Sequence, residues 1–479
     1  MTQNGSYLPY KEVYFFSKDG LHVGEKFRNI ALGAATTPSA PKGNRWVFFI
    51  WCPTFPFPGR TVIINIWKIV RETFPKGRGD IVIRRDGLVP TTEKERIESI
   101  DVMRGLALLG IFFVNMLDFH SPWLYIDEDM WWETTTDKVT VFFIDVFAQA
   151  SFYPLFSFLF GFGMILFFEK ARQKEVAFWP VALRRLLALL VFGIVHAFLI
   201  WHGDILITYA AAGTLLILFL RVREKVLFYL AMGLWLIPSF LLTGLLVMND
   251  VYTQGDGNYQ QESEIKQSIQ VYGSGSYADI TIQRIHDWLY VNGGFYFFFI
   301  ILSIFPLFLF GAYFAKKKII HYQYRDRNAL KAVLIWSIAI GLPIKLSPYL
   351  LSGSGVEFLQ DSIGGPLLAL SYIVAVVLLE DAGRMKRVFS GLKKVGRMSL
   401  TNYLFQSIIS TFIFYSYGIG LYGKISSLTG CLFVVVIFSI QILYSTFWLK
   451  SFSQGPMEWV WRTITYLNVQ PLKRRKTSS

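Results

Sequence analysis

His196 and Asp204 sit eight residues apart, in Gly193-Ile-Val-His196 and Trp201-His202-Gly203-Asp204. An imidazole beside a carboxylate supplies a general base and the partner that orients it. Eight residues of helix cover about 12 Å, so the two meet only if the chain folds back at Gly203. The plainer readings are that His196 fills a packing position and that Asp204 caps the next helix. Asp101 and Arg104 are one helical turn apart and can pair on one face, with Asn115 eleven residues further on. This pair either holds the helix end in place or positions a substrate. Asp145 and Gln149, also one turn apart, would extend the same polar cluster or line a surface. In Gly396-Arg397-Met-Ser399-Leu-Thr401-Asn402-Tyr403-Leu-Phe-Gln406-Ser407, Asn402 and Gln406 share one face. A polar stripe of that kind faces either neighbouring helices or a cavity. His120 ranks below His196 as a base, His202 is expected at an interfacial surface, and Glu458 and Arg462 are expected to pair across one turn.

These residues matter because of the elements that carry them. The chain has 479 residues, 53% hydrophobic and only 17% charged, against about a quarter charged in soluble domains. From Ile97 onward, apolar runs of about 18–25 residues recur, each long enough for a helix to cross about 30 Å of hydrocarbon. They fall at about 102–118, 150–168, 185–202, 204–221, 226–248, 294–315, 331–351, 362–380, 398–418 and 427–449. The runs are continuous rather than alternating, so helices are expected, not barrel strands. The expected fold is an all-α, polytopic membrane bundle of about ten spans. Lys and Arg collect at alternate connections, for example Lys170, Arg172, Lys316, Lys317, Arg384, Lys386 and Lys473. The other connections are acidic, with Asp127, Glu128, Asp250 and Glu262 among them. This bias places both termini in the cytoplasm and loop 249–290 outside. Trp123, Trp131 and Trp132 suit an interfacial belt.

Residues 1–90 differ from the rest. Pro53, Pro56 and Pro58 interrupt the apolar stretch from Trp46 to Val70, which argues for a loop or interfacial segment. Net charge is +14, yet residues 1–90 hold 13 Lys+Arg against 6 Asp+Glu and the remainder 34 against 27. Basicity is spread through the chain and gives no nucleic-acid patch. Cys52 and Cys431 make no disulfide framework or zinc spacing. No Walker loop, dinucleotide fingerprint or His-Glu-x-x-His helix occurs, so no metal and no bound cofactor are expected.

Five ordered blocks carry a resemblance. They are Arg96-Ile-Glu-Ser-Ile-Asp101-Val-Met-Arg104-Gly through Asn115; Phe143-Ile-Asp145 through Gln149 with Leu155 to Gly163; Gly193-Ile-Val-His196 with Gly203-Asp204-Ile-Leu206; Gly396 to Leu404; and Gly455-Pro-Met-Glu458-Trp-Val-Trp-Arg462. Together they resemble the YeiB-like bacterial membrane family (domain of unknown function 418) over about residues 95–467. The layout is similar to that of the transmembrane acyltransferase superfamily, whose first helix carries a comparable Asp-x-x-Arg-Gly opening. Where O-acyltransferases of that group have a histidine, this chain has Asn115, as the glucosaminide acetyltransferases do, so His196 becomes the candidate base. The resemblance implies a transmembrane domain at 91–467, a basic tail at 468–479 and a bacterial plasma-membrane location. It does not cover residues 1–90, an N-terminal extension whose mixed, proline-broken composition motivates one hypothesis, that translation starts near Leu88 or Val89 at a non-AUG codon.

Three functions fit these observations. In membrane acyl transfer, a cytoplasmic acyl-CoA serves as co-substrate and a membrane or cell-envelope molecule as acceptor. His196 then acts as base, Asp204 or Asp145 orients it, and Arg104 and Asn115 steady an oxyanion or the donor. Transport of a small solute or lipid-linked precursor is the alternative, and Pro238, Pro306 and Pro343 within spans would suit it. A non-catalytic scaffold is the third. In each case the lipid bilayer is the partner and nucleic acid is not.

Overall fold

The computed structural model describes residues 96–253, 261–320 and 326–474, together with the backbone of a short hairpin near the N-terminus. The chain divides into two compact units, Met1–Ile64 and Asn65–Ser479. In the first, β1 (Phe15–Ser17) pairs antiparallel with β2 (Gly20–His22). The expectations for Trp46–Val70 and for a start near Leu88 fall outside the described residues.

Among its described residues, the second unit is a helical bundle with eight helices long and apolar enough to cross a membrane. It opens with α1 (Glu98–His120), whose first turn holds Glu98 and Asp101, where carboxylates complement the helix dipole. Next come α2 (Thr135–Phe147) and α3 (Phe152–Gln173), joined through Ala150 at a φ of 52°. The third span is α4 (Phe178–Val195), continued by a π-helical turn at His196–Ile200. It is followed by α5 (Leu206–Ile217) and the long α6 (Glu224–Thr253).

The region expected as a polar outer loop is folded. It forms α7 (Glu262–Ser274) and α8 (Tyr277–Asn292), the latter opened by a Ser276/Asp279 capping box. Each buries a stripe, Ile265, Ser268 and Tyr272 on one and Ile280, Gln283, Arg284 and Asp287 on the other. That helical spacing was hidden by the low overall hydropathy of the segment.

The remaining spans are α9 (Tyr296–Lys316), α10 (Arg327–Leu346), α11 (Ser354–Leu359) with a second π-helical turn at Gln360–Gly364, and α12 (Gly365–Asp381). Finally come amphipathic α13 (Lys386–Arg397), α14 (Ser399–Phe414), α15 (Ser427–Ser451) and α16 (Pro456–Tyr466). The α3–α9 crossing brings backbones together at Gly161 and Gly311. A Cβ on either would collide with a carbonyl of the other helix, at Phe308 and Phe158 respectively. This is the close approach small residues permit between helices in lipid. In contrast, α6 and α10 bury little of their length and expose Ile237, Phe240, Leu241, Ile335 and Trp336.

Each of the ten expected runs corresponds to a helix, but two are short. The 204–221 run becomes α5, with 12 residues, and the 398–418 run becomes α14, with 16. At 1.5 Å per residue these reach about 18 and 24 Å, less than the hydrocarbon thickness. Most of their residues are buried in the bundle. Irregular backbone at membrane depth is tolerated where protein surrounds it.

Candidate functional site

A cavity of about 310 Å³ lies among the starts of α1 and α14, the end of α3, and α16. Arg96, Arg104, Lys170, Arg185, Arg397 and Arg462 line it, against two carboxylates, Asp101 and Glu458. Asp101 accepts from Arg96 Nη1 at 3.4 Å and from Arg104 Nη1 at 3.3 Å. The expected Asp101–Arg104 pair therefore forms, with a third partner. The Arg185 guanidinium lies 3.9 Å from the centre of the Trp461 ring, a cation–π contact. The Arg185 carbonyl accepts from Trp461 Nε1 at 2.8 Å, and Arg184 Nε donates to the Thr465 carbonyl at 3.0 Å. These bonds fix α16 against α4. Burial, together with neighbouring Arg96, pushes Arg462 down to about 10. Burial also lowers Arg96, against the pull of Asp101 and with help from Arg397 and Arg104.

Glu458 does not form the expected hydrogen-bonded pair with Arg462. Instead it accepts from Leu400 N at 2.7 Å, Thr401 N at 3.1 Å and Thr401 Oγ1 at 2.6 Å. The carboxylate thus satisfies the donors that the first turn of α14 leaves unpaired. Burial raises its pKa and these hydrogen bonds oppose the rise.

The rest of the lining is largely apolar and includes Phe156, Phe160, Ile205 and Tyr403. Behind Tyr403 is His196, with ring centres 4.9 Å apart. His196 is fully buried and does not itself line the cavity. At the π-helical turn, Trp201 N donates to the His196 carbonyl at 2.8 Å, after which the chain leaves the helix. Asp204 then folds back. Its Oδ1 lies 2.8 Å from His196 Nδ1, and its Oδ2 accepts from Ile207 N at 2.8 Å. One carboxylate oxygen thus meets the imidazole and the other accepts from the first turn of α5. The return needs Gly193, because a Cβ there would lie 2.7 Å from Ile207 N and 2.9 Å from Asp204 Oδ2. The other ring nitrogen, His196 Nε2, is 2.8 Å from Ser407 Oγ. Sequence reading gave Ser407 no role. The available signal was its position one turn beyond Tyr403 and two beyond Ser399.

The family described as "Protein of unknown function (DUF418)" matches residues 314–468. Over 407 residues the chain is 39% identical to "Uncharacterized protein YxaH" of Bacillus subtilis (strain 168), covering 81% of this chain and 98% of that protein. It is 29% identical over 398 residues to "Uncharacterized 39.9 kDa protein in amylase 3'region" of Bacillus acidopullulyticus, covering 81% and 99%. It is 28% identical over 388 residues to "Uncharacterized protein YeiB" of Escherichia coli (strain K12), covering 78% and 96%. The chain belongs to the YeiB-like DUF418 family. Within this DUF418 protein the family match includes Arg397, Tyr403, Ser407 and Glu458, whereas His196 and Asp204 come from the preceding half.

Other expected site residues lie elsewhere in the DUF418 bundle. Asn115 is half-buried and makes no side-chain hydrogen bond among the described residues. Asp145 does not orient His196. It joins a separate cluster, accepting from Tyr349 Oη at 2.8 Å and Gln360 Nε2 at 2.5 Å, with Lys345 Nζ at 3.7 Å. Gln149 contributes its carbonyl, which accepts from Lys345 Nζ at 3.3 Å. Lys345 is fully buried and lies 3.4 Å from Asp361. Sequence reading overlooked both, although a lysine inside an apolar run was the visible clue.

Asn402 and Gln406 face α15 rather than the cavity. Asn402 Nδ2 donates to Ser445 Oγ at 3.1 Å, and Gln406 Nε2 to Gln441 Oε1 at 3.0 Å. Arg397 lines the cavity and donates to the Ser453 carbonyl at 3.4 Å. His120 is buried between Trp132 and Phe414. His202 is buried rather than at a surface, 3.0 Å from Asp118 and 3.8 Å from Asp287. Burial disfavours its protonation, but these carboxylates hold its pKa above the usual value.

Proposed function

We propose that this protein transfers an acyl group from a cytoplasmic acyl-CoA to a hydroxyl or amine acceptor in the membrane or cell envelope. The observation that carries this reading is the lining of the cavity: six cations, an otherwise largely apolar wall, and Tyr403, which packs on His196. Arginines suit phosphate groups because a planar guanidinium can bind two oxygens at once. The CoA phosphates would meet Arg104, Arg397 and Arg462, and the acyl end would enter the apolar part. His196 would take the proton released by the attacking hydroxyl or amine, a contribution of roughly 10²–10⁴-fold. Asp204 would hold the ring in the tautomer that leaves Nε2 free to accept. The basic lining then faces the cytoplasm of a bacterial plasma membrane, with both termini on that side.

Acetyl-CoA binding to the protein in nanodiscs, followed by thermal shift, tests the reading without requiring the acceptor. A donor at 100 times its Kd stabilises by about 2.7 kcal/mol. A saturable shift that weakens with a dephospho analogue is expected, and it should shrink in Arg104→Ala. No shift with acetyl-CoA or a long-chain acyl-CoA would overturn it.

One observation favours transport instead, namely fully buried Lys345 between Asp145 and Asp361. Buried ionisable groups inside spans mark ion pathways in carriers. Solute uptake by proteoliposomes that Lys345→Met abolishes, without any donor binding, would select that reading.

A further inference from the structure

We infer that Ser407 is a nucleophile and that the acyl group passes through an ester on its Oγ. This rests on the acyl-transfer reading and adds a covalent intermediate to it. The three side chains form a relay: Asp204 Oδ1 to His196 Nδ1 at 2.8 Å, and His196 Nε2 to Ser407 Oγ at 2.8 Å. A carboxylate only accepts hydrogen bonds, so Nδ1 carries the ring proton and Nε2 offers its lone pair. Ser407 Oγ–H is then the donor to Nε2. The competing arrangement is a serine that bonds back to the carbonyl one turn earlier. That contact, to Tyr403, is 3.5 Å, at the limit of a hydrogen bond. The relay has the roles of a Ser-His-Asp triad, which recurs on unrelated folds and is recognised by geometry rather than sequence order.

Access comes along α14. Ser399 and Tyr403 line the cavity, and Ser407 is the next residue on that face, about 6 Å further along the helix. The Tyr403 ring lines the cavity, packs on His196 and donates to the Gly203 carbonyl at 3.4 Å, so the proposal requires that ring to rotate before a donor reaches Ser407.

In the first half-reaction, Ser407 Oγ attacks the thioester carbonyl carbon and gives its proton to His196 Nε2. The O–C bond forms, the C–S bond breaks, and His196 returns the proton to the departing sulfur as free CoA thiol. In the second, the acceptor gives its proton to Nε2 and attacks the Ser407 ester. The acyl–Oγ bond breaks and the proton goes back to Ser407.

The test incubates the full-length protein in nanodiscs with radiolabelled acetyl-CoA, and separately palmitoyl-CoA, without acceptor. The expected result is a burst of free CoA and up to one acyl group per chain on the peptide containing Ser407. The bond should be alkali-labile but stable to neutral hydroxylamine, unlike a thioester on Cys431. Ser407→Ala should remain unlabelled and lose on the order of 10³-fold or more in transfer, with the donor-induced thermal shift reporting that it is folded. Ser407→Cys should trap a hydroxylamine-sensitive thioester. Donor binding and turnover with no label on Ser407, or with transfer retained in Ser407→Ala, would overturn the nucleophile while leaving acyl transfer standing. Absence of any donor binding would remove both.

Discussion

At His196 every hydrogen-bonding position of the ring is occupied. One nitrogen is held by Asp204 and the other by Ser407, so substitutions there report on roles rather than on loose contacts. Asp204→Asn keeps an oxygen for Ile207 N but offers an amide that can also donate to the ring. Transfer should fall by about 10²–10⁴-fold, as when a triad acid is neutralised, with a small change in melting temperature. An unchanged rate would argue that the carboxylate serves only α5. The parts of this pair were legible because a histidine and an aspartate eight residues apart are visible in any sequence. Ser407 was not legible, since it lies 211 positions from His196 and a serine in an apolar helix ordinarily bonds to its own backbone. Likewise Asp145 was visible, but its partners Lys345 and Gln360 arrive from a distant hairpin.

At the scale of elements, hydropathy located every apolar helix yet gave α5 and α14 full span length. The difference is physical. A run of apolar residues reads the same whether lipid or protein covers it, and these two are covered by protein. They are also the elements that bring Asp204 and Ser407 to His196. Gly193→Ala places a methyl against Ile207 N and Asp204. It should cost about 1–3 kcal/mol, as overpacking does, and disturb the pair, measurable by thermal denaturation alongside transfer. The segment 262–292 provides a second test. There Tyr125 and Tyr272 donate to Asp287 at 2.8 and 2.6 Å, beside His202. A raised His202 pKa means that its contribution is complete below the ordinary histidine value of about 6.5. That contribution is lost as pH rises through the raised folded-state value. Hydrogen exchange of α7 and α8 should accelerate over that rise, and His202→Gln should flatten the dependence.

For the whole molecule, hydropathy made the helical architecture readable, because a bilayer imposes span length on composition; the charge bias adds an expected orientation. A cysteine placed in 262–292 should react with an impermeant reagent from outside the cell. Labelling only after permeabilisation would invert the proposed orientation. The interior charges were less readable, since their pairing depends on which spans adjoin. Removing Lys345 as Lys345→Met leaves Asp145 and Asp361 without their cation. A fully buried pair would lose about 3–5 kcal/mol, but the Asp361 side chain is 42% exposed. A loss of roughly 1–3 kcal/mol is expected, readable as a lower melting temperature in nanodiscs.

The π-helical turn at His196–Ile200 has a consequence for insertion and deletion. Such a turn is an α-helix carrying one surplus residue, so it acts as a phase shift between α4 and the chain that follows. Deleting one residue from 197–200 would restore ordinary winding and rotate everything downstream by about 100°, one residue's share of a 3.6-residue turn. Asp204 would then swing away from His196 although no site residue had changed. Among working relatives, the eight-residue count from this histidine to this aspartate should therefore be kept constant.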